Sequence, residues 1–159
     1  MILLRKVELF ELADHVSKEK RSENMSRIHG KNTKPELLVR HSLHKRGLRY
    51  LLHNENLPGK PDMTFPKYHT VLFVHGCFWH QHPNCKKASK PKSNSDYWRE
   101  KFLRNKKRDE EVVNILESEG WKVIIIWECE IPNSFADSYW EFLAGKIRNH
   151  RGQSLSRES

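Results

Sequence analysis

The sequence predicts a single α/β domain in which a mixed β-sheet is flanked by helices. Residues 70–74 and 121–127 are near-continuous apolar runs, as expected of strands that are buried on both faces. Between them, a long charged segment runs from residue 95 or 96 to about residue 119, and we predict that it forms a helix. The complete predicted order is helix, three strands, helix, strand, helix.

The first helix is predicted to begin at Thr33 and to end before Gly47. Thr33 can cap the helix, Pro35 suits its first turn, and Glu36 completes a capping box. The capping box accounts for Glu36 fully, although a carboxylate at a helix start can also point toward an adjacent site.

Three strands are predicted to follow this helix. Residues 48–53 and 62–65 have strand character, and a turn-rich segment at 56–61 separates them. A tight connection then leads into the buried strand at 70–74. The segment from residue 75 to residue 94 is predicted to be irregular.

The last predicted helix follows the strand at 121–127 and opens at residues 134–137. Three tryptophans of the C-terminal part, Trp121, Trp127 and Trp140, are predicted to be core residues.

The length of 159 residues fits one domain with a hydrophobic core. We expect residues 17–150 to form this domain, residues 1–16 to be an N-terminal extension, and residues 151–159 to be a polar tail. The sequence shows no secretory signal and no apolar stretch of spanning length. We therefore expect a cytoplasmic protein that has no membrane partner.

Basic side chains outnumber acidic ones. The sequence contains 29 Lys and Arg residues and 20 Asp and Glu residues, which gives a net charge of +9. Such an excess favours a polyanionic partner, because neutralised phosphates release condensed counterions. A basic protein without a nucleic-acid partner has the same composition, so charge alone leaves both interpretations open.

The three cysteines form a pattern typical of a metal site. Cys77, His82 and Cys85 follow a C-x4-H-x2-C spacing, and Cys129 lies just past the last predicted strand. Three thiolates and one imidazole make the closed tetrahedral set that proteins use for structural Zn²⁺. An odd cysteine count argues against a disulfide framework. Two alternatives stay open: three unrelated free thiols, and His80 as the ligand in place of His82.

A second constellation contains a carboxylate and two histidines. Asp62 opens one predicted strand, and His75 lies at the far end of the next, so pairing of these strands brings Asp62 beside Val74 and His75. Metal-dependent phosphodiester cleavage needs a carboxylate for a hard cation and a proton acceptor near the attacking water. His75 and His80 are the candidate acceptors. The alternative is that Asp62, which follows a proline, is only a turn residue.

Three aromatic residues, Phe78, Trp79 and Trp98, lie on or next to the irregular basic segment. Adjacent exposed aromatics can wedge between base steps, where unstacking costs least at a mispair. The alternative is that all three are core residues.

Four motifs occur in one order along the chain: G-K-P-D at 59–62, F-V-H-G-C-F-W-H-Q-H at 73–82, W-x2-K-x3-N-x2-R-D at 98–109, and G-W-x-V at 120–123 with W-E-C at 127–129. Together they resemble the very short patch repair (Vsr) DNA mismatch endonucleases. The resemblance covers roughly residues 17–131, and its H-G-C-F-W-H string is highly specific.

The resemblance implies a restriction-endonuclease-like core and an enzyme that nicks one strand 5′ of the thymine in a T:G mismatch, within a short sequence context and with Mg²⁺. Such mismatches arise when 5-methylcytosine deaminates, so this nick would start very short patch repair. The implied partner is double-stranded DNA with a T:G mismatch, with mismatch-repair proteins as candidate helpers. We expect a monomer that associates with the nucleoid through DNA. The alternatives are a sequence-specific restriction-type endonuclease and a non-catalytic, zinc-braced DNA-binding module.

Carried over by position, the resemblance implies the catalytic roles. Asp62 and the backbone carbonyl of Val74 would hold Mg²⁺. His75 and His80 would activate water and assist the leaving oxygen, with the assignment between them open. Glu36 would be an accessory acid.

The resemblance also implies which residues contact DNA and which bind zinc. Lys101 and Asn105 would contact bases, and the aromatic wedge and the zinc ligands match the sets named above. The sequence departs from the family pattern twice. Val74 stands where a threonine is common, and the gap between His82 and Cys85 is one residue longer.

Overall fold

The computed structural model describes residues 31–132 and 136–149. The predicted extension at 1–16 and tail at 151–159 lie outside the described residues, so the domain limits stay a prediction. The helices are α1 (Lys34–Lys45), α2 (Cys77–His80), α3 (Ser95–Ser118) and α4 (Asp137–Arg148). The strands are β1 (Leu51–Leu52), β2 (Met63–Phe65), β3 (Thr70–His75) and β4 (Lys122–Trp127), and a 3₁₀ turn at Pro66–Tyr68 joins β2 to β3.

The strands form one four-stranded sheet in the order β1-β2-β3-β4. β1 pairs with β2 and β2 with β3 in antiparallel fashion, whereas β3 and β4 are parallel. The sheet is therefore mixed, as predicted. Because parallel strands end at the same edge, the chain leaves β3 and β4 side by side, where His75 is paired with Trp127.

The strand β3 is apolar on both of its faces, and helices pack against both faces of the sheet. Leu72 belongs to the larger core, which it shares with residues of α1 and α4. Its neighbours Val71 and Phe73 point to the opposite face and pack against Leu116 of α3. The larger core consists of Val39, Leu43, Leu48, Met63, Phe65, Leu72, Ile124, Ile126, Ile131, Trp140, Leu143, Ala144 and Ile147.

The order of the elements is as predicted, but two predictions about secondary structure were wrong. The first strand, predicted at 48–53, is only Leu51–Leu52, because its partner β2 is short and offers two register pairs. The segment at 75–94, predicted to be irregular, contains α2, a helix too short for apolar periodicity to reveal. Among the described residues, no helix is both long and apolar enough to cross a membrane.

The tryptophans divide between core and site. Trp140 is 1% exposed in the larger core, as predicted. Trp121 is partly buried against the smaller core. Trp127 does not belong to either core, and its ring instead stacks on His82 with centroids 4.2 Å apart. The prediction of a core role for Trp127 was therefore wrong, because the end of β4 lies at the sheet edge that carries the site.

We predict that Gly59→Ala destabilises the protein more than Gly47→Ala. Both glycines have a left-handed backbone, with φ +71° and +79°, which costs an alanine about 1–2 kcal/mol. A Cβ at Gly59 would also lie 2.5 Å from Cγ1 of Val112, whereas one at Gly47 meets nothing within 4 Å. The crowding should cost Gly59→Ala a further ~1–3 kcal/mol. Urea unfolding of both variants checks this, and equal losses would contradict it.

Candidate active site

The residues singled out from the sequence gather at the edge where β3 and β4 end. α2 starts two residues after His75, and a turn that contains Cys129 follows Trp127. The backbone N–H of Glu128 donates to the carbonyl of His75 at 3.0 Å, and the N–H of Cys77 donates to the Glu128 carboxylate at 3.2 Å. These bonds tie the two segments together beyond the sheet.

Asp62 lies against β3, as the predicted strand pairing required. Its Oδ2 accepts a hydrogen bond from the backbone N–H of Val74 at 2.7 Å. Burial raises the pKa of Asp62 to about 6, and the negative charge of Glu36 adds to this, while the Val74 N–H, Arg40 and His80 act in the opposite direction. Burial disfavours the negative charge of such a carboxylate, and a bound cation would stabilise that charge.

His75 and His80 form a stacked pair, with ring centroids 3.8 Å apart and planes at 9°. Nδ1 of His80 lies 2.5 Å from Oδ2 of Asp109. Since an ionised carboxylate only accepts, the proton of this bond belongs to Nδ1, and Nε2 of a neutral His80 carries the free lone pair. Burial, assisted by the charge of His80, lowers the pKa of His75 to about 4, so this ring is neutral near pH 7.

Asp109 is one of the site residues to which no role was assigned from the sequence. Burial acts to raise its pKa, but the hydrogen bond from His80 and the nearby positive charges outweigh burial and lower it. Asp109 lies on α3, four residues after Asn105, whose amide donates to the carbonyl of Trp79 at 3.0 Å. This helical spacing places both side chains toward α2, and it is the signal from which Asp109 could have been found.

Glu36 lies behind Asp62 and away from solvent, at 3% exposure. Its carboxylate accepts a hydrogen bond from Arg40 at 2.8 Å. Arg40 in turn contacts His53, and His53 faces Asp62. Neither Arg40 nor His53 belongs to a motif that drew attention in the sequence.

The cysteine cluster assembles as the spacing predicted. One donor atom from each of Cys77, His82, Cys85 and Cys129 lies within 4.8 Å of the others. His82, and not His80, points into the cluster, with its Nδ1 3.2 Å from the Cys129 sulfur and 3.8 Å from the Cys77 sulfur. The alternatives of scattered thiols and of His80 as the fourth group do not fit this geometry.

The donor set fits a metal ion on chemical grounds. Burial raises the pKa of Cys77 to about 12, so its thiolate needs a nearby cation to form. One imidazole and three sulfurs converge around that position, as in closed structural sites. The longer gap before Cys85 does not prevent convergence, because Asn84 adopts a left-handed backbone with φ 57°, which asparagine tolerates.

The three candidate wedge residues pack together between α2 and α3. The Phe78 ring lies 5.1 Å from that of Trp79 and 5.5 Å from that of Trp98, and it also contacts the buried Phe102. All three candidates are partly buried, so they are neither core residues nor free side chains. The ammonium of Lys101 lies 5.4 Å from the Trp79 ring centroid, which places a positive charge over this surface.

A buried carboxylate, an oriented histidine and a basic aromatic surface beside them are the parts expected of a nuclease. Comparison with known proteins gives the same class and a family. The profile of the family described as DNA mismatch endonuclease Vsr matches residues 13–87.

Similar proteins cover most of the chain. It is 46% identical over 138 residues to the type II nicking enzyme V.XorIIP of Xanthomonas oryzae pv. oryzae, an alignment that spans 87% of this chain and 96% of that enzyme. It is 48% identical over 122 residues to the type II nicking enzyme V.NmeAIP of Neisseria meningitidis, which spans 77% and 86%. It is 37% identical over 120 residues to the DNA mismatch endonuclease Vsr of Escherichia coli K12, which spans 76% of each chain.

The chain belongs to the Vsr family and is a DNA endonuclease, a hydrolase that acts on DNA. The resemblance found in the sequence is thereby confirmed. The alternative of a non-catalytic DNA-binding module was wrong.

We predict that the stability gain from Asp62→Asn depends on pH. Without added Mg²⁺, folded wild-type protein keeps the Asp62 proton up to about pH 6, whereas an unperturbed carboxyl loses it near pH 3.8. The folded state therefore binds more protons between these values, and wild-type stability falls as pH rises through them. Asparagine cannot ionise, so its stability relative to wild type should grow by on the order of 2 kcal/mol from pH 4 to pH 7.

Urea unfolding at both pH values measures this difference. Asp96→Asn, which makes the same change at an exposed carboxylate of α3, is the matched control. A pH-independent difference for Asp62→Asn would mean that Asp62 ionises as an exposed carboxyl does.

Proposed function

We propose that this endonuclease nicks one strand of duplex DNA 5′ of the thymine in a T:G mismatch, within a short sequence context and with Mg²⁺. The nick would start repair of deaminated 5-methylcytosine. The observation that carries the proposal is the position of Asp62 on the Val74 backbone, beside the His75–His80 pair. We further propose that the enzyme acts as a monomer and that its mixed sheet and flanking helices are a restriction-endonuclease-like core.

Asp62 and the backbone carbonyl of Val74 are proposed to hold Mg²⁺. Hard oxygen ligands suit this cation, which would supply Lewis-acid stabilisation of the charge on the phosphate. Val74 in place of threonine is compatible with this role, because a carbonyl ligand does not depend on the side chain. Glu36, whose negative charge acts on Asp62, is proposed to be an accessory acid of the site.

His80 is proposed as the general base. Asp109 holds its Nδ1 proton and stabilises the positive charge that the ring acquires when Nε2 takes a proton from water. The resulting hydroxide forms the new bond to phosphorus while the bond to the leaving oxygen breaks. His75, which is buried and neutral, is proposed to donate a hydrogen bond to that oxygen. Its pKa of about 4 makes it a weaker base than a histidine in water.

The cluster of Cys77, His82, Cys85 and Cys129 is proposed to hold a structural Zn²⁺. The closed set leaves no position for substrate, so the ion would brace the turn of α2 that carries His80. A structural Zn²⁺ can contribute on the order of 10 kcal/mol to holding a segment with few apolar contacts.

The aromatic surface is proposed to recognise the mismatch. Phe78, Trp79 and Trp98 lie together at the site and remain partly exposed, as a wedge between base steps requires. A mispaired step costs less to unstack, which favours T:G over a matched pair. Lys101 and Asn105 are proposed to contact base edges from α3.

We predict that purified protein with Mg²⁺ nicks only the thymine-containing strand of a labelled T:G duplex. The matched C:G duplex should remain intact under the same conditions. Asp62→Ala should lower the nicking rate by at least 10³-fold, because it removes the side-chain ligand of the cation.

The outcomes separate the functional interpretations. Equal cleavage of both strands of matched DNA would favour a restriction-type enzyme. Full activity of Asp62→Ala would refute the proposed site.

We predict that His82→Asn and His80→Asn fail in different ways. His82→Asn should lose bound zinc and melt at a lower temperature, because one of four ligands is gone. His80→Asn should keep one zinc per chain and yet lose nicking activity, because its ring faces Asp109. Metal analysis, thermal melting and nicking rates on the same preparations check both. Loss of zinc from His80→Asn would contradict the separation of the two clusters. Full retention of zinc by His82→Asn would contradict it as well.

A further inference from the structure

A chain of polar side chains leads from Glu36 through Arg40 and His53 to Asp62. Nη2 of Arg40 donates to Glu36 at 2.8 Å and lies 2.9 Å from Nε2 of His53. Nδ1 of His53 lies 3.9 Å from Oδ1 of Asp62. Glu36 and Arg40 are buried, and the side chains of His53 and Asp62 are 17% and 16% exposed.

The contact with Arg40 determines the tautomer of the His53 ring. A guanidinium group can only donate hydrogen bonds, so Nε2 of His53 accepts. The ring proton is then on Nδ1, the nitrogen that faces Asp62.

The two carboxylate oxygens of Asp62 therefore have different neighbours. Oδ2 accepts the backbone N–H of Val74 on β3, and Oδ1 faces the N–H of His53 from the other side. At 3.9 Å the second contact is longer than a hydrogen bond, and it acts through the dipole of the N–H group or through a bridging water. The backbone N–H of His53 also donates to the Asp62 carbonyl at 3.4 Å, which fixes the two residues opposite each other.

We propose that His53 is a positioning residue for Asp62, held in one tautomer by Arg40 and Glu36. It orients the carboxylate from the Oδ1 side, while Oδ2 stays against the Val74 backbone. This inference rests on the proposed function, in which Asp62 holds Mg²⁺.

The test compares His53→Leu with His53→Gln in the full chain. Leucine keeps apolar bulk but removes both ring nitrogens, whereas glutamine retains an acceptor and a donor on one side chain. Nicking rates of the T:G duplex are measured over a range of Mg²⁺ concentrations. DNA affinity with Ca²⁺ and the melting temperature are measured beside them. His41→Leu, at an exposed histidine of α1, is the matched control.

His53→Leu should raise the Mg²⁺ concentration for half-maximal rate at least fivefold, with DNA affinity changed less than twofold. His53→Gln should restore the wild-type value to within about twofold, and His41→Leu should match wild type. Because these variants are compared by Mg²⁺ concentration, a simple loss of stability does not produce the pattern.

Two results would overturn the inference. One is an unchanged Mg²⁺ dependence in His53→Leu. The other is a lower melting temperature and rate that glutamine does not rescue, which would make His53 a structural residue only. Failure of the proposed function itself is distinguishable, since nicking would then survive Asp62→Ala.

Discussion

The parallel pairing of β3 with β4 is the constraint on which the rest of the site depends. Six register pairs run from Thr70 opposite Lys122 to His75 opposite Trp127. Because both strands end at one edge, the segments that follow them meet there, and Cys129 reaches the cluster that contains Cys77. A shift of this register by one residue would turn each β4 side chain to the other face and separate the two segments.

Burial at this edge acts on the acid and the histidine in opposite directions. It raises the pKa of Asp62 to about 6 and lowers that of His75 to about 4, because desolvation disfavours the charged form of each. The metal-free site is thus less charged than its composition suggests. In the proposed mechanism, a cation held by Asp62 would stabilise the ionised carboxylate, and Asp109 orients the His80 ring.

Residues that are adjacent in the single-turn helix α2 point to different parts of the site. Cys77 points into the metal cluster, Phe78 packs toward α3, and His80 reaches Asp109. Neighbouring residues point in different directions because successive helical positions are rotated by roughly 100°. The cluster holds one end of this turn and α3 holds the other. This accounts for how a four-residue helix with few core contacts can hold the proposed base, His80, in one orientation.

The sequence alone predicts the order of the elements, the two central strands, the long helix, the three cysteines of the cluster and the proximity of Asp62 to Val74. These follow from local apolar runs, turn residues and ligand chemistry, which a linear chain displays directly. The folded structure was needed to show that Asp109 faces His80, that His82 enters the cluster instead of His80, and that Arg40 and His53 connect Glu36 to Asp62. These contacts depend on how α3 packs on α2 and how α1 lies against β1. Apart from the Asn105–Asp109 spacing, which indicates the side of α3 that faces α2, no local pattern indicates these contacts, because they join side chains from segments far apart in the chain.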